Sequence, residues 1–91
     1  MLRLVHLGHI VVRMDQATTD TTKRVAATVK SALRDAGITQ QDASERTGIP
    51  YTTFKRHLAG TSPMDTAELE KVADLLGTTV LDLFVAAETA A

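Results

Sequence analysis

Residues 39–60, TQQDASERTGIPYTTFKRHLAG, contain two short runs of helix-forming residues that are joined by a Gly-Ile-Pro turn. Thr39 can cap the first run, because its hydroxyl accepts a hydrogen bond from an unpaired backbone N–H. Gly48 can end that run in the left-handed conformation, and Pro50 or Tyr51 opens the second run. A turn this short sets two helices at a steep angle, so the segment predicts one helix that braces and one that faces outward.

The second run has one polar side and one apolar side at helical spacing. Phe54 and Leu58 fall on the apolar side, which predicts that they pack inward. The polar side consists of Tyr51, Thr52, Lys55 and Arg56. This side is therefore the candidate binding surface of the chain.

The composition favours a single all-α domain. A chain of 91 residues supports one modest core and leaves no room for a second domain or a large enclosed active site. Aromatic residues are nearly missing, so the core must consist of Leu, Val, Ile and Ala, which favour helices over a sandwich. The absence of cysteine excludes disulfides, thiolate zinc sites and cysteine nucleophiles, and it suits a reducing cytoplasm.

The formal net charge of −1 conceals an uneven distribution along the chain. Residues 1–60 carry nine basic and five acidic side chains, a net charge of +4. Residues 61–91 carry one basic and six acidic side chains, a net charge of −5. Such a distribution lets a nearly neutral protein dock one face on phosphates while the acidic part stays turned away.

The first fourteen residues, MLRLVHLGHIVVRM, are apolar but too short for a membrane helix. Polar residues follow them, where a secretory signal needs a small-residue cleavage site. Two interpretations stay open. In the first, residues 1–16 form an N-terminal extension, either a strand that can pair with a partner chain or an added helical turn. In the second, Met14 is the natural start and residues 1–13 are an upstream leader.

Periodic apolar residues predict a first helix that starts near Thr18 and that Gly37 ends. Its apolar side consists of Val25, Val29, Ala32, Leu33 and Ala36. A second helix covers residues 39–47, and a third covers residues 51–59.

A fourth helix begins at an N-cap that is either Asp65 or Thr66. Its apolar stripe consists of Leu69, Val72, Ala73 and Leu76. A short fifth helix covers residues 80–85. The predicted helix-turn-helix domain therefore extends over residues 17–85, and residues 86–91 form a weakly helical tail.

The order of these helices, together with their residues, resembles the lambda-repressor-like family, the Cro/XRE type of helix-turn-helix domain. The similarity covers about residues 21–84, and the matching residues are Gly37, Ile38, Thr39, Gln40, Gly48, Ile49, Thr53, Phe54, Arg56, Leu58, Gly60, Leu75, Leu76, Gly77, Leu81, Asp82, Leu83 and Phe84. The resemblance implies a compact five-helix bundle that binds operator DNA as a symmetric dimer. The family includes phage repressors, antitoxins and small bacterial regulators.

Two places depart from the family pattern. The family has Leu-Ala in the middle of the second helix, where this chain has Ala43 and Ser44. Ser44 is small enough to preserve the close helix crossing, and Phe54 can fill the volume that a Leu would occupy. His57 stands where the family has a large apolar residue, and we expect it to be a packed, hydrogen-bonded core histidine.

Within the polar side, Arg56 is the first candidate for reading bases, because its planar fork matches the O6 and N7 acceptors of guanine. The resemblance implies that Tyr51 and Thr52 also lie over base edges. Lys55 can reach a base or a phosphate, and its flexible point charge suits the phosphate better.

Phosphate contacts are expected around both ends of the helix-turn-helix. Gln40 resembles the family residue that binds a backbone phosphate, and the amides at a helix N-terminus attract anions. The hydroxyl groups of Thr39, Thr53, Thr61 and Ser62 can bind the same strand. Alternatively, Thr39 is simply a cap, and Thr61 and Ser62 are simply loop residues.

These features predict a sequence-specific regulator that binds double-stranded DNA, most simply a repressor of phage-repressor or Cro size. A homodimer would read a palindromic operator with half-sites about 34 Å apart. Val80, Leu81, Phe84 and Val85 are the dimer candidates. In the other interpretation Leu81 and Phe84 close the core, and we expect that at least one of them does.

The alternative function is a protein-interaction module, such as an antitoxin or anti-repressor, whose apolar N-terminal segment binds a partner. An enzyme is not predicted, because the chain has neither a glycine-rich phosphate loop nor a Gly-x-Ser-x-Gly turn. His6 and His9 have no third ligand nearby in the sequence, so no metal is predicted. No cofactor, small-molecule substrate or membrane is expected either.

Overall fold

The computed structural model of the protein describes residues 20–89, which contain five helices and no strand. Helix α1 covers residues 20–35, and the others are α2 (Gln40–Thr47), α3 (Tyr51–Leu58), α4 (Thr66–Leu76) and α5 (Val80–Thr89). The all-α prediction is therefore confirmed. The predicted N-terminal extension, with its open alternatives, and the start of the first helix near Thr18 lie outside the described residues.

Local capping explains where the helices begin and end. The Thr39 hydroxyl accepts a hydrogen bond from the Asp42 backbone N–H at 3.0 Å, as expected of an N-cap. Asp65 and Glu68 form a reciprocal capping box at the start of α4, with N···O distances of 2.7 and 3.0 Å. Gly48 ends α2 with φ of 76°, in the left-handed region that an L side chain rarely adopts. These caps place the turn and the two helices that it joins.

All five helices contribute buried side chains to one core, in which α2 contacts α3 and α4, and α4 contacts α5. Phe54, Val29 and Val72 are fully buried. The other buried apolar residues are Val25, Ala26, Leu33, Ala43, Ile49, Leu58, Leu69, Ala73, Leu83 and Ala87. Most of the predicted core positions are confirmed.

Two positions, one inside α1 and one just after it, differ from the predicted pattern. Ala36 was expected on the apolar side, but it is exposed because it lies in the turn after α1. Ala26 was not predicted and is buried, since it stands three residues before Val29 on the same side of the helix. The helical period therefore explains the burial of Ala26, but it does not apply to Ala36, which lies beyond the end of the helix.

Two hydroxyl groups of α2 hold the turn between α2 and α3. The Ser44 hydroxyl donates to the Ile49 carbonyl at 2.5 Å. The Thr47 hydroxyl donates to the Ala43 carbonyl at 2.7 Å and accepts from the Ile49 N–H at 3.4 Å. All of these atoms belong to a buried region, where an unpaired polar group is costly. The turn is therefore bonded to α2 through side chains as well as through the backbone.

Helix α5 is longer than predicted. The predicted end at residue 85 and the tail from residue 86 are wrong for residues 86–89, which continue α5 to Thr89. Ala87 is fully buried in the core, and Glu88 forms an ion pair with Arg24 of α1 at 3.5 Å. Alanine has the highest helix propensity, and burial of Ala87 in the core favours continuation of the helix past residue 85. The small residues of this segment carried no strong helix signal in the sequence.

The inner side of α5 also differs from expectation. Leu83 and Ala87 belong to the core, whereas Leu81 is 71% exposed and Phe84 is 36% exposed. The expectation that Leu81 or Phe84 closes the core is therefore wrong. Val80, Leu83 and Ala87 are three and four residues apart, so together they occupy the inner side and turn Leu81 outward.

We predict that Ser44→Ala lowers the free energy of unfolding by about 1 to 3 kcal/mol, because the buried Ile49 carbonyl loses its side-chain donor. Urea unfolding followed by circular dichroism measures the change. Ser31→Ala on the exposed side of α1 is the matched control, and we expect it to change stability by less than about 0.5 kcal/mol. Equal effects of the two substitutions would contradict this role of Ser44.

Candidate nucleic-acid interface

The outer side of α3 brings the four predicted base-contacting residues together. Tyr51 is 42% exposed, and Thr52, Lys55 and Arg56 are also exposed. The opposite side of the same helix is buried and consists of Phe54, His57 and Leu58. One helix thus combines a core side with a polar outward side, as the sequence predicted.

The outer side of α3 is positively charged. The helix contains Lys55 and Arg56 and no acidic residue. Among the described residues, the ion pairs involve neither of these two side chains. Their charges are therefore available to an anionic ligand.

Tyr51 and Lys55 contact each other on this surface. The Lys55 ammonium nitrogen lies 5.4 Å from the centroid of the Tyr51 ring, which is a cation–π distance. The two residues are four positions apart, so they are neighbours along the helix. This contact restrains both side chains near the start of α3.

The start of α2 contains the predicted contacts Thr39 and Gln40. Thr39 is exposed and caps the helix, which confirms its structural role. Gln40 is the first residue of α2 and is half-buried. Contacts of these two residues with phosphate remain predictions.

The end of α3 uses the hydroxyl groups of Thr61 and Ser62 within the protein. The Thr61 hydroxyl donates to the Arg56 carbonyl at 3.0 Å, and the Ser62 hydroxyl lies 3.0 Å from Nδ1 of His57. A phosphate oxygen accepts hydrogen bonds, so the Thr61 hydroxyl must leave the Arg56 carbonyl before it can donate to DNA. Thr53, the other predicted phosphate contact, is half-buried on α3.

His57 links α3 to the start of α4. The residue is 6% exposed, and its Nε2 lies 3.1 and 3.2 Å from the two carboxylate oxygens of Glu68. A carboxylate only accepts hydrogen bonds, so Nε2 carries a proton. The other ring nitrogen, Nδ1, lies 3.0 Å from the Ser62 hydroxyl and 3.1 Å from the Ser62 backbone carbonyl. The expectation of a packed, hydrogen-bonded histidine is confirmed.

The contact between Glu68 and His57 was not predicted from the sequence. Glu68 also accepts from the Asp65 N–H, so one carboxylate closes the capping box and holds the end of α3. The spacing of Asp65 and Glu68 is the sequence signature of a capping box. That signature was available in the sequence, but the contact with His57 depends on how α3 and α4 pack.

Other kinds of site are missing from residues 20–89. No group of three or more His, Asp or Glu side chains in this range could hold a metal ion. None of these five helices is long and apolar enough to cross a membrane. His6 and His9 lie outside the described residues.

Residues 28–88 match the family model of the Cro/C1-type helix-turn-helix DNA-binding domain. The chain belongs to this family. The match covers α2 to α4 completely and reaches Glu88 of α5. This membership assigns the helix-turn-helix to DNA binding, and it agrees with the prediction that the protein is not an enzyme.

A solved structure shows the same fold. The Cro/C1-type domain is similar to the crystal structure of the clp gene regulator ClgR from Corynebacterium glutamicum, with a TM-score of 0.73 and 20% sequence identity. The similarity covers 77% of this chain and 74% of that chain. A search of curated proteins finds no match.

We predict that Glu68→Ala lowers the free energy of unfolding by about 1 to 3 kcal/mol, because the substitution removes the capping box and the acceptor for His57 together. Chemical denaturation measures the loss. Glu70→Ala, which alters an exposed residue of the same helix, should change stability by less than about 0.5 kcal/mol. If the Glu68 variant is as stable as the Glu70 variant, the carboxylate does not hold α3 to α4.

Proposed function

We propose that the protein is a sequence-specific transcription repressor that inserts α3 into the major groove of double-stranded DNA. The observation that carries this proposal is the outer side of α3, where four exposed polar side chains include two cations without acidic partners. This side belongs to a Cro/C1-type domain, and the similar solved structure is named as a gene regulator. Such a protein acts where the chromosome is, so we place it in the cytoplasm.

Arg56 reads a guanine in this proposal. Its side chain is exposed and its backbone carbonyl accepts from both the N–H and the hydroxyl of Thr61, which fixes the backbone at the end of α3. A guanidinium on a fixed backbone can form two parallel hydrogen bonds with O6 and N7 of guanine. Arg56 therefore supplies most of the base discrimination.

The start of α3 supplies the remaining base contacts. Thr52 is exposed, and the Tyr51 ring is held beside the Lys55 ammonium. The ring and the threonine methyl suit the methyl group of a thymine. Lys55 then binds a phosphate at the edge of the groove, because its ammonium is a point charge without the planar donor fork that matches a base edge.

The start of α2 binds a phosphate of the same strand. The free N–H groups of a helix N-terminus attract an anion, and Gln40 stands at the first position to add a side-chain donor. Thr39 contributes its backbone geometry as the cap. Thr53, Thr61 and Ser62 are additional phosphate donors once their hydroxyl groups turn toward DNA.

The exposed apolar side of α5 joins two copies of the protein. Leu81 is 71% exposed, Val85 is 53% exposed and Phe84 is 36% exposed. Phe84 and Val85 lie three and four residues after Leu81, so the three side chains form one patch. Val80 is half-buried, packs against the core and contributes less. Two-fold symmetry then presents two copies of α3 to half-sites about 34 Å apart, and the occupied operator blocks polymerase.

We predict that selection from a random DNA pool recovers an approximate palindrome, and that Arg56→Ala weakens binding to it by about 1 to 3 kcal/mol and relaxes the preference at one guanine in each half-site. Lys55→Ala should instead lower affinity for all sequences equally and reduce the salt dependence by about one charge per subunit. Fluorescence anisotropy over a salt series measures both. A wild-type protein that enriches no sequence would overturn the proposed function, and unchanged base preference in the Arg56 variant would overturn its assignment.

We predict that Leu81→Glu weakens self-association at least about tenfold, since it places a charge in an apolar interface. Sedimentation equilibrium measures the dimer dissociation constant. Ala86→Glu adds the same charge on an exposed position of α5 outside the patch, and it should leave the constant unchanged. A Leu81→Glu protein that dimerises like wild type would exclude this side of α5 as the interface.

A further inference from the structure

Lys23 of α1 packs against Gly60, the residue that follows α3 and its cap. A Cβ atom added to Gly60 would lie 3.2 Å from Cγ of Lys23 and 3.4 Å from its Cα. Gly60 also has a φ of 77°, in the left-handed region. The backbone at Gly60 therefore packs against α1 at Lys23, and the aliphatic stem of Lys23 makes the contact.

This contact places Lys23 beside the loop that follows the DNA-reading helix. Gly60 precedes Thr61, and Thr61 is bonded to the Arg56 carbonyl through both its N–H and its hydroxyl. Lys23 therefore contacts the backbone one residue before Thr61, and both Thr61 and Arg56 are exposed. Lys23 itself is exposed, so its ammonium group is in contact with solvent.

The charge of Lys23 has no acidic partner among residues 20–89. Its neighbour Arg24 instead forms the ion pair with Glu88 of α5, at 3.5 Å. The two adjacent basic residues therefore have different surroundings. Arg24 joins α1 to α5, whereas Lys23 adds a free cation next to the end of α3.

We propose that Lys23 binds a DNA phosphate at the wall of the groove that α3 occupies, so that the phosphate contacts extend to α1. This proposal rests on the proposed function. A helix about 10 to 12 Å across fills a major groove about 12 Å wide, so groups at its end meet the phosphate walls. Lysine suits a phosphate because its ammonium is a flexible point charge.

Contact with Gly60 makes Lys23 better suited to this role than an ordinary surface lysine. The stem is held against the backbone before DNA arrives, so fewer rotamers are lost on binding. Gly60 is the residue that permits this approach, because any side chain there would meet Cγ of Lys23. Gly60 therefore has two roles. It adopts the left-handed conformation of the turn after α3, and it leaves room for the stem of Lys23.

The test is a salt series with Lys23→Met, which keeps an unbranched stem and removes the charge. DNA recovered by selection is the ligand, and anisotropy gives the observed association constant. The slope of its logarithm against the logarithm of salt concentration should fall by about 0.9 per subunit, with base preference unchanged. Lys23→Arg should retain the wild-type slope.

Lys71→Met is the matched control, because it removes the same charge from the exposed side of α4 next to Glu70. It should leave the slope unchanged. Urea unfolding of both variants establishes that the comparison is between folded proteins. A wild-type slope in Lys23→Met, or an equal fall in both variants, would overturn the role of Lys23 while leaving the proposed function in place. Failure of the wild-type protein to bind selected DNA would instead overturn the function itself.

Discussion

The buried hydrogen bond from the Ser44 hydroxyl to the Ile49 carbonyl is the constraint on which the DNA-binding surface depends. It ties the turn to the middle of α2, and Thr47 holds the same turn from the last residue of that helix. With the turn held in this way, Phe54 enters the core and Arg56 must face outward, because α3 can rotate no further. The direction of the candidate reading side chains is thus a consequence of buried polar bonds in the helix before them.

The far end of α3 is held by a second, different set of contacts. His57 bonds to Ser62 and Glu68, so a ring in the core connects the end of α3 to the start of α4. Gly60 then rests on Lys23 of α1. Each end of the short helix therefore has its own support, which suits an element of only eight residues that must keep its side chains in position.

The division of charge and apolar surface gives the bundle two distinct faces. Helix α3 presents cations, while the exposed side of α5 presents Leu81, Phe84 and Val85. Acidic residues dominate the chain after residue 60, and of these Glu68 contacts α3 through His57 on the buried side of that helix. The proposed DNA-binding face and the proposed dimer face can coexist on one small domain because different helices form them.

The sequence by itself determined the helix-turn-helix and its candidate reading side, because caps, glycine stops and the helical period are local properties. Thr39, Gly48 and Asp65 mark ends that the structure confirms. Only the tertiary structure decided the roles of residues whose partners are distant in the chain. His57 contacts Glu68, and Lys23 contacts Gly60. Burial of Ala87 extends α5 beyond its predicted end. Period and capping predict which side of a helix is apolar, but packing decides which neighbour covers it and how far the helix continues.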